Sequence, residues 1–129
     1  MSGLRDESVV LDGLVEAVDR LLEIGRQTPE GMLGCDRDTN EQILWNLLVL
    51  GEATKRLSDG LRGRFGDVAW SDMARTRDKI AHHYDAVNWH RVHDIISINL
   101  PPLLPRLIEI RDIMRAEFDA AEAEAERSR

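Results

Sequence analysis

Residues 39–57 read TNEQILWNLLVLGEATKRL. Ile43, Leu44, Leu47, Leu48, Gly51, Thr54 and Leu57 recur at spacings of three and four, the repeat of one helix face. Thr39 with Gln42, or Asp38 with Glu41, supplies a capping box, so the helix is expected to start at Asp38 or Thr39. Gly51 interrupts the stripe. A glycine inside a helix costs about 1 kcal/mol against alanine, and close approach of another helix is the expected compensation.

The same spacing governs the flanks. A first helix is predicted from Leu4 to Arg26, with Val10, Leu11, Leu14, Val18, Leu21 and Leu22 on one face and Thr28-Pro29 ending it. PEGMLGCDRD reads as a loop. The three glycines of GLRGRFG are expected to break the pattern between Gly60 and Gly66. Ser71 is the expected cap of a third helix carrying Arg75, Arg77 and His82. Asn88 is the expected cap of a fourth carrying Trp89, Val92, Ile95 and Ile96. Pro101-Pro102 breaks or kinks it, because proline lacks an N–H and clashes with the preceding turn. Leu103, Leu107, Ile108, Met114 and Phe118 mark a fifth. AAEAEAERSR is helix-prone but has no apolar stripe, so it is expected to fray. No segment alternates as a half-buried strand does. The fold class is an all-α bundle of four or five helices in one domain.

Composition narrows the function. With 129 residues the chain suits one domain. The lone Cys35 permits no intrachain disulfide, zinc ribbon or redox pair. Charges interrupt every leucine cluster, so no membrane span is expected and a soluble, cytoplasmic protein is. The net charge of −7 argues against a general nucleic-acid coat. Its distribution is uneven: residues 1–54 carry −7, residues 55–93 carry +3 and residues 94–129 carry −3. Local positive charge focuses a polyanion even on an acidic protein.

The positive third contains RTRDKIAHHYDAVNW, residues 75–89. Arg77 offers a fixed fork to phosphate. His82 can move a proton near neutral pH. Asp78, four residues earlier, can bond one imidazole nitrogen and fix the tautomer. Tyr84 stands two turns beyond Arg77 and shares its face if the helix lasts that long. Arginine, oriented histidine and tyrosine suit phosphodiester chemistry without metal, since RNA brings its own 2′-hydroxyl nucleophile. Two features oppose this reading. On one ideal helix His82 points about 140° away from Arg77, so a helix end, a kink or a second subunit is needed. On spacing alone, a surface helix with Tyr84 half-buried is the preferred account. His90 and His93 share a face, but no HExxH or nearby Cys accompanies them and Asp94 or Asp85 could complete a site only in a specific fold, so no metal or cofactor site is expected. Trp45, Trp70 and Trp89 read as core or interface anchors.

RDKIAHHY followed by DAVNWHRVHDIISINLPPL resembles the HepT-like family of the HEPN superfamily, whose R-x4-H-x-Y motif is matched by Arg77, His82 and Tyr84. ILWNLLVLGEATKRLSD resembles the family's second helix, including its Gly-Glu-Ala. The resemblance implies a HEPN-like helical domain over residues 1–118, with 119–129 a charged tail, in a homodimer with composite sites where two motif helices meet. It implies a toxin of a toxin–antitoxin pair: a metal-independent endoribonuclease with Arg77 and His82 as catalytic residues and Asp78 in support. The implied partner is a nucleotidyltransferase antitoxin that transfers AMP to Tyr84. No role passes to His83. The alternative is a non-catalytic helical module that docks on a nucleotidyltransferase and helps bind nucleotide or substrate.

Overall fold

The computed structural model of the protein describes residues 5–129, and every regular element among them is helical. The helices are α1 (Ser8–Gln27), α2 (Arg37–Arg56), α3 (Asp59–Arg64), α4 (Trp70–His82), α5 (Trp89–Asp94) and α6 (Leu100–Arg127), with a π-helical turn at Ile95–Asn99 between the last two. α1 packs on α2 and α6, and α4 packs on α2. The core lies along this row, with Leu11, Leu14, Leu21, Ile43, Leu47, Leu107 and Ile110 fully buried. Burying a leucine-sized side chain stabilises by about 1.5–3 kcal/mol, so the row of stripes carries most of the cohesion.

Several boundaries differ from expectation for local reasons. Leu4 lies outside the described residues. α1 begins at Ser8, whose N–H and hydroxyl both donate to Asp6 Oδ1, at 3.1 and 2.6 Å. The cap of α2 is Asp36, ahead of both expected capping boxes; its Oδ2 accepts from the N–H (2.9 Å) and hydroxyl (2.7 Å) of Thr39. These two bonds hold the Asp36 carboxyl below its ordinary range. GLRGRFG does not break the chain into loop. Ser58 caps α3 across it, and Leu57, Leu61 and Phe65 at spacing four face the core. α4 starts at Trp70, one residue before the expected cap, and has no side-chain cap. Trp70 is itself buried, with its Nε1 donating to the Phe65 carbonyl at 3.0 Å.

Asn88 does cap α5, with its Oδ1 accepting from Arg91 N–H at 3.2 Å. The chain then passes into α6 without a break. The wide turn at Ile95–Asn99 ends with Leu100 N–H bonded to Ile95 carbonyl, so Pro101 and Pro102 enter in the first turn of α6, where missing N–H groups leave fewer carbonyls unpaired. α6 runs to Arg127, past the end of its apolar stripe at Phe118. Arg64 clamps Glu117 at 2.7 and 2.6 Å, Arg106 clamps Asp67 at 2.8 and 3.0 Å, and Arg115 reaches Asp12 at 2.6 Å. Exposed pairs of this kind fix the register of α6 more than they stabilise it. No helix among the described residues is long and apolar enough to cross a membrane.

Candidate active site

α2 and α4 meet at Gly51. A Cβ placed there would run into the Cβ of Arg77 and lie 2.9 Å from the Met73 carbonyl oxygen. Glycine thus lets α4 seat against α2 with the stem of Arg77 across the gap, the close approach expected from the sequence. The polar residues that α2 buries are satisfied locally: Thr54 Oγ1 donates to the Leu50 carbonyl and Asn46 Nδ2 to the Gln42 carbonyl, both at 2.8 Å.

A row of alternating charges crosses the seam. Arg77 Nε lies 3.1 Å from Glu52 Oε2, and Arg77 Nη1 donates to Asp78 Oδ1 at 3.3 Å. The same Asp78 oxygen accepts from Lys55 Nζ at 2.5 Å. The Lys55 hydrogen bond, with a smaller contribution from Arg77, holds the Asp78 carboxyl below its ordinary range. Arg77 is 34% exposed, and among the described residues its Nη2 donates no hydrogen bond. Glu52 and Lys55 therefore belong to the site, although sequence reasoning assigned them no role. Charges at positions 52 and 55 continuing the α2 helix past an otherwise apolar stripe were the available signal.

The other motif residues sit at the end of α4. His82 is its last residue and His83 caps it, so the helix is regular through His82 and keeps that ring about 140° round from Arg77. The rise between them is about 7.5 Å. Asp78 bonds Lys55 and Arg77, and no bond joins it to His82, because the α2 cation lies across the seam from it. Tyr84 lies beyond the helix, 52% exposed, so it does not share the Arg77 face by helical repeat. Arg77 within α4, His82 at its end and Tyr84 just beyond it are thus all reachable from solvent.

The remaining candidates separate. His93 lies 3.4 Å from Ser97 Oγ and 3.7 Å from Asp94. Trp89 is half-buried against Gly34, a glycine with φ of 94° that also turns the loop before α2. Trp45, expected in a core or an interface, is not in the core: it is 66% exposed. It heads an α2 stripe through Leu48 and Val49 to Glu52, so the stripe ends at the Arg77 seam.

The chain is similar in sequence to proteins that carry ribonuclease names. "Probable ribonuclease HepT" of Thermococcus cleftensis is 25% identical over 107 residues, which cover 83% of this chain and 97% of that protein. "Putative RNase MJ0127" of Methanocaldococcus jannaschii is 35% identical over 75 residues, covering 58% of this chain and 62% of that protein. "Putative RNase TTE0752" of Caldanaerobacter subterraneus is 34% identical over 65 residues, covering 50% of this chain and 58% of that protein. In the latter two the match spans less than two-thirds of the relative's length. No solved structure matches the chain. The family model described as "Ribonuclease HepT-like" matches residues 14–110, which include α2, the Gly51 seam, Arg77, His82 and Tyr84; the chain belongs to the HepT-like ribonuclease family.

Proposed function

We propose that the protein is the toxin of a toxin–antitoxin pair, a metal-independent endoribonuclease that acts as a homodimer. The observation that carries this reading is the Arg77 seam. Gly51 and Glu52 fix the stem and Nε of Arg77, while Nη2 remains open to an incoming phosphate. In the proposed reaction the 2′-hydroxyl of RNA attacks the adjacent phosphorus. The new bond is 2′-O–P, the P–O5′ bond breaks, and the products are a 2′,3′-cyclic phosphate and a 5′-hydroxyl. His82 takes the 2′ proton, the leaving oxygen gains one from solvent, and Arg77 holds the charge that builds on the phosphoryl oxygens. Because His82 faces away from Arg77 on its own helix, the two meet only across a dimer. The exposed Trp45, followed on its α2 face by the half-buried Leu48 and Val49 and then by Glu52, supports a two-fold contact there.

Neutralisation by a nucleotidyltransferase antitoxin acts on Tyr84 in this account. Its hydroxyl attacks the α-phosphorus of ATP, AMP is attached and pyrophosphate leaves. The added phosphate pairs with Arg77 in place of RNA and repels the RNA backbone. The test is RNA cleavage with EDTA present. Arg77→Ala and His82→Ala should each lower the rate by about 10²–10⁴, and His83→Ala should do much less. Wild-type cleavage by His82→Ala would contradict the mechanism. Tyr84→Phe should escape neutralisation while still binding the antitoxin; silencing of a chain whose Tyr84 carries no adenylyl mass would favour simple docking.

A further inference from the structure

α4 packs on α2, and its opposite flank is open. Between α4 and α5 lies a groove of about 460 Å³. Its floor is apolar: Ile80, Val92 and Ile95 are core residues that close its base. Its walls are cationic, with Lys79 from α4 and Arg91 from α5. Asp72 is the one carboxylate lining it, and Arg75 already pairs with that group. The side chains of Lys79 and Arg91 make no ion pair among the described residues. That is unexpected in a chain with 24 acidic and 17 basic groups, where Arg75 and Arg77 of the same helix both find carboxylates. Two unneutralised cations from two helices, over one apolar floor, fit a ligand with an anionic edge and an apolar body.

The position of the groove says which ligand. It ends at His83, beside His82 and Tyr84, on the face of α4 opposite Arg77. Lys79 and His82, three residues apart, share that side of the helix. We propose that the α4–α5 groove is a subsite for one nucleotide of single-stranded RNA next to the cleaved bond. The base lies on Ile80, Val92 and Ile95, and its phosphate lies between Lys79 and Arg91. The strand is single because only unpaired bases can be turned out onto a protein surface. This subsite rests on the ribonuclease reading and adds to it the form of RNA accepted and the residues that hold it.

The test is binding without cleavage. A fluorescein-labelled ten-nucleotide 2′-O-methyl RNA lacks the nucleophile and stays intact. By anisotropy, Lys79→Gln/Arg91→Gln should bind it at least tenfold more weakly. The slope of log affinity against log salt should flatten by about 0.7, the value for one phosphate contact in a single strand. Ala86→Glu, an exposed alanine lining the groove, should weaken binding in the same way with thermal stability unchanged. Arg56→Gln, an exposed cation outside the groove, should change affinity less than twofold. Unchanged binding by the groove variants overturns the proposal, as does a wild-type chain that does not bind the oligonucleotide. Displacement by poly-L-glutamate as readily as by RNA of equal charge also overturns it, in favour of an acidic protein segment. A wild-type chain that binds this RNA through the groove but leaves unmodified RNA uncut contradicts the ribonuclease reading and leaves the subsite standing.

Discussion

A methyl group on Gly51 would meet the Cβ of Arg77 and the Met73 carbonyl, so the Gly51→Ala variant puts two effects in opposition. Helix propensity favours alanine by about 1 kcal/mol. Overpacking costs about 1–3 kcal/mol, and here the obstacles are backbone and a stem atom, which cannot swing aside. Urea unfolding should show net destabilisation, and cleavage should fall because Arg77 is displaced. A stabilised Gly51→Ala protein would mean that α4 does not seat as closely as described. The sequence allowed the role of Gly51 to be read, since an unfavourable residue in a regular stripe calls for a packing reason. It did not reveal Glu52 as the partner of Arg77 or Lys55 as that of Asp78. Those pairs join positions more than 20 apart, and helical spacing relates only near neighbours. The expectation that Asp78 orients His82 failed to foresee this: an i,i+4 neighbour was available, but a lysine from the facing helix engages the carboxylate.

Ser58 does two things at the junction of α2 and α3. Its Oγ accepts from Leu61 N–H at 3.1 Å and donates to Glu7 Oε2 at 2.8 Å, while its N–H donates to Glu7 Oε1 at 2.6 Å. Ser58→Ala removes the cap and one partner of the buried Glu7, and should cost about 1–2 kcal/mol in urea unfolding. A loss under a few tenths would show that α3 needs no cap. The helix itself was legible in the 57, 61, 65 spacing, but the glycines of GLRGRFG outweighed it in the reading. They are tolerated because Gly60 and Gly63 face outward. The proline pair predicts a break or kink; instead a π turn at Ile95–Asn99 precedes it and the helix continues, a register change that no periodicity displays. The tail beyond Phe118 is helical with mostly exposed side chains. Deleting residues 119–129 should change stability by less than about 1 kcal/mol, read from the thermal midpoint. Acid should loosen α4 from α2. Asp78 has its carboxyl lowered from 3.8 by Lys55, so its contribution is full above about 3.8 and is lost as pH falls through the lower folded value. Amide exchange in α4 should accelerate over that acid range, and Lys55→Met should weaken this pH dependence, leaving the smaller part due to Arg77.

For the whole molecule, one chain supplies an open Arg77 fork on one side of α4 and an exposed His82 on the other, so the proposed chemistry requires two copies. Trp45→Glu places a charge at the head of the α2 stripe and should convert a dimer into a monomer in sedimentation equilibrium at micromolar concentration, with cleavage lost and helicity kept. The all-helical bundle was legible from sequence because each stripe repeats many times. The assembly was legible only as a need, since the 140° divergence says that a second group is required and not where it docks. The central claim, a site shared between subunits, is tested most directly by subunit mixing. Arg77→Ala and His82→Ala chains, each inactive alone, are unfolded together in equal amounts, refolded and assayed on RNA. Half of the dimers are then mixed, and each mixed dimer has one of its two sites intact, so about a quarter of wild-type activity should return. No recovery, with mixed dimers shown by mass spectrometry, would place Arg77 and His82 of each working site on the same chain and contradict the account.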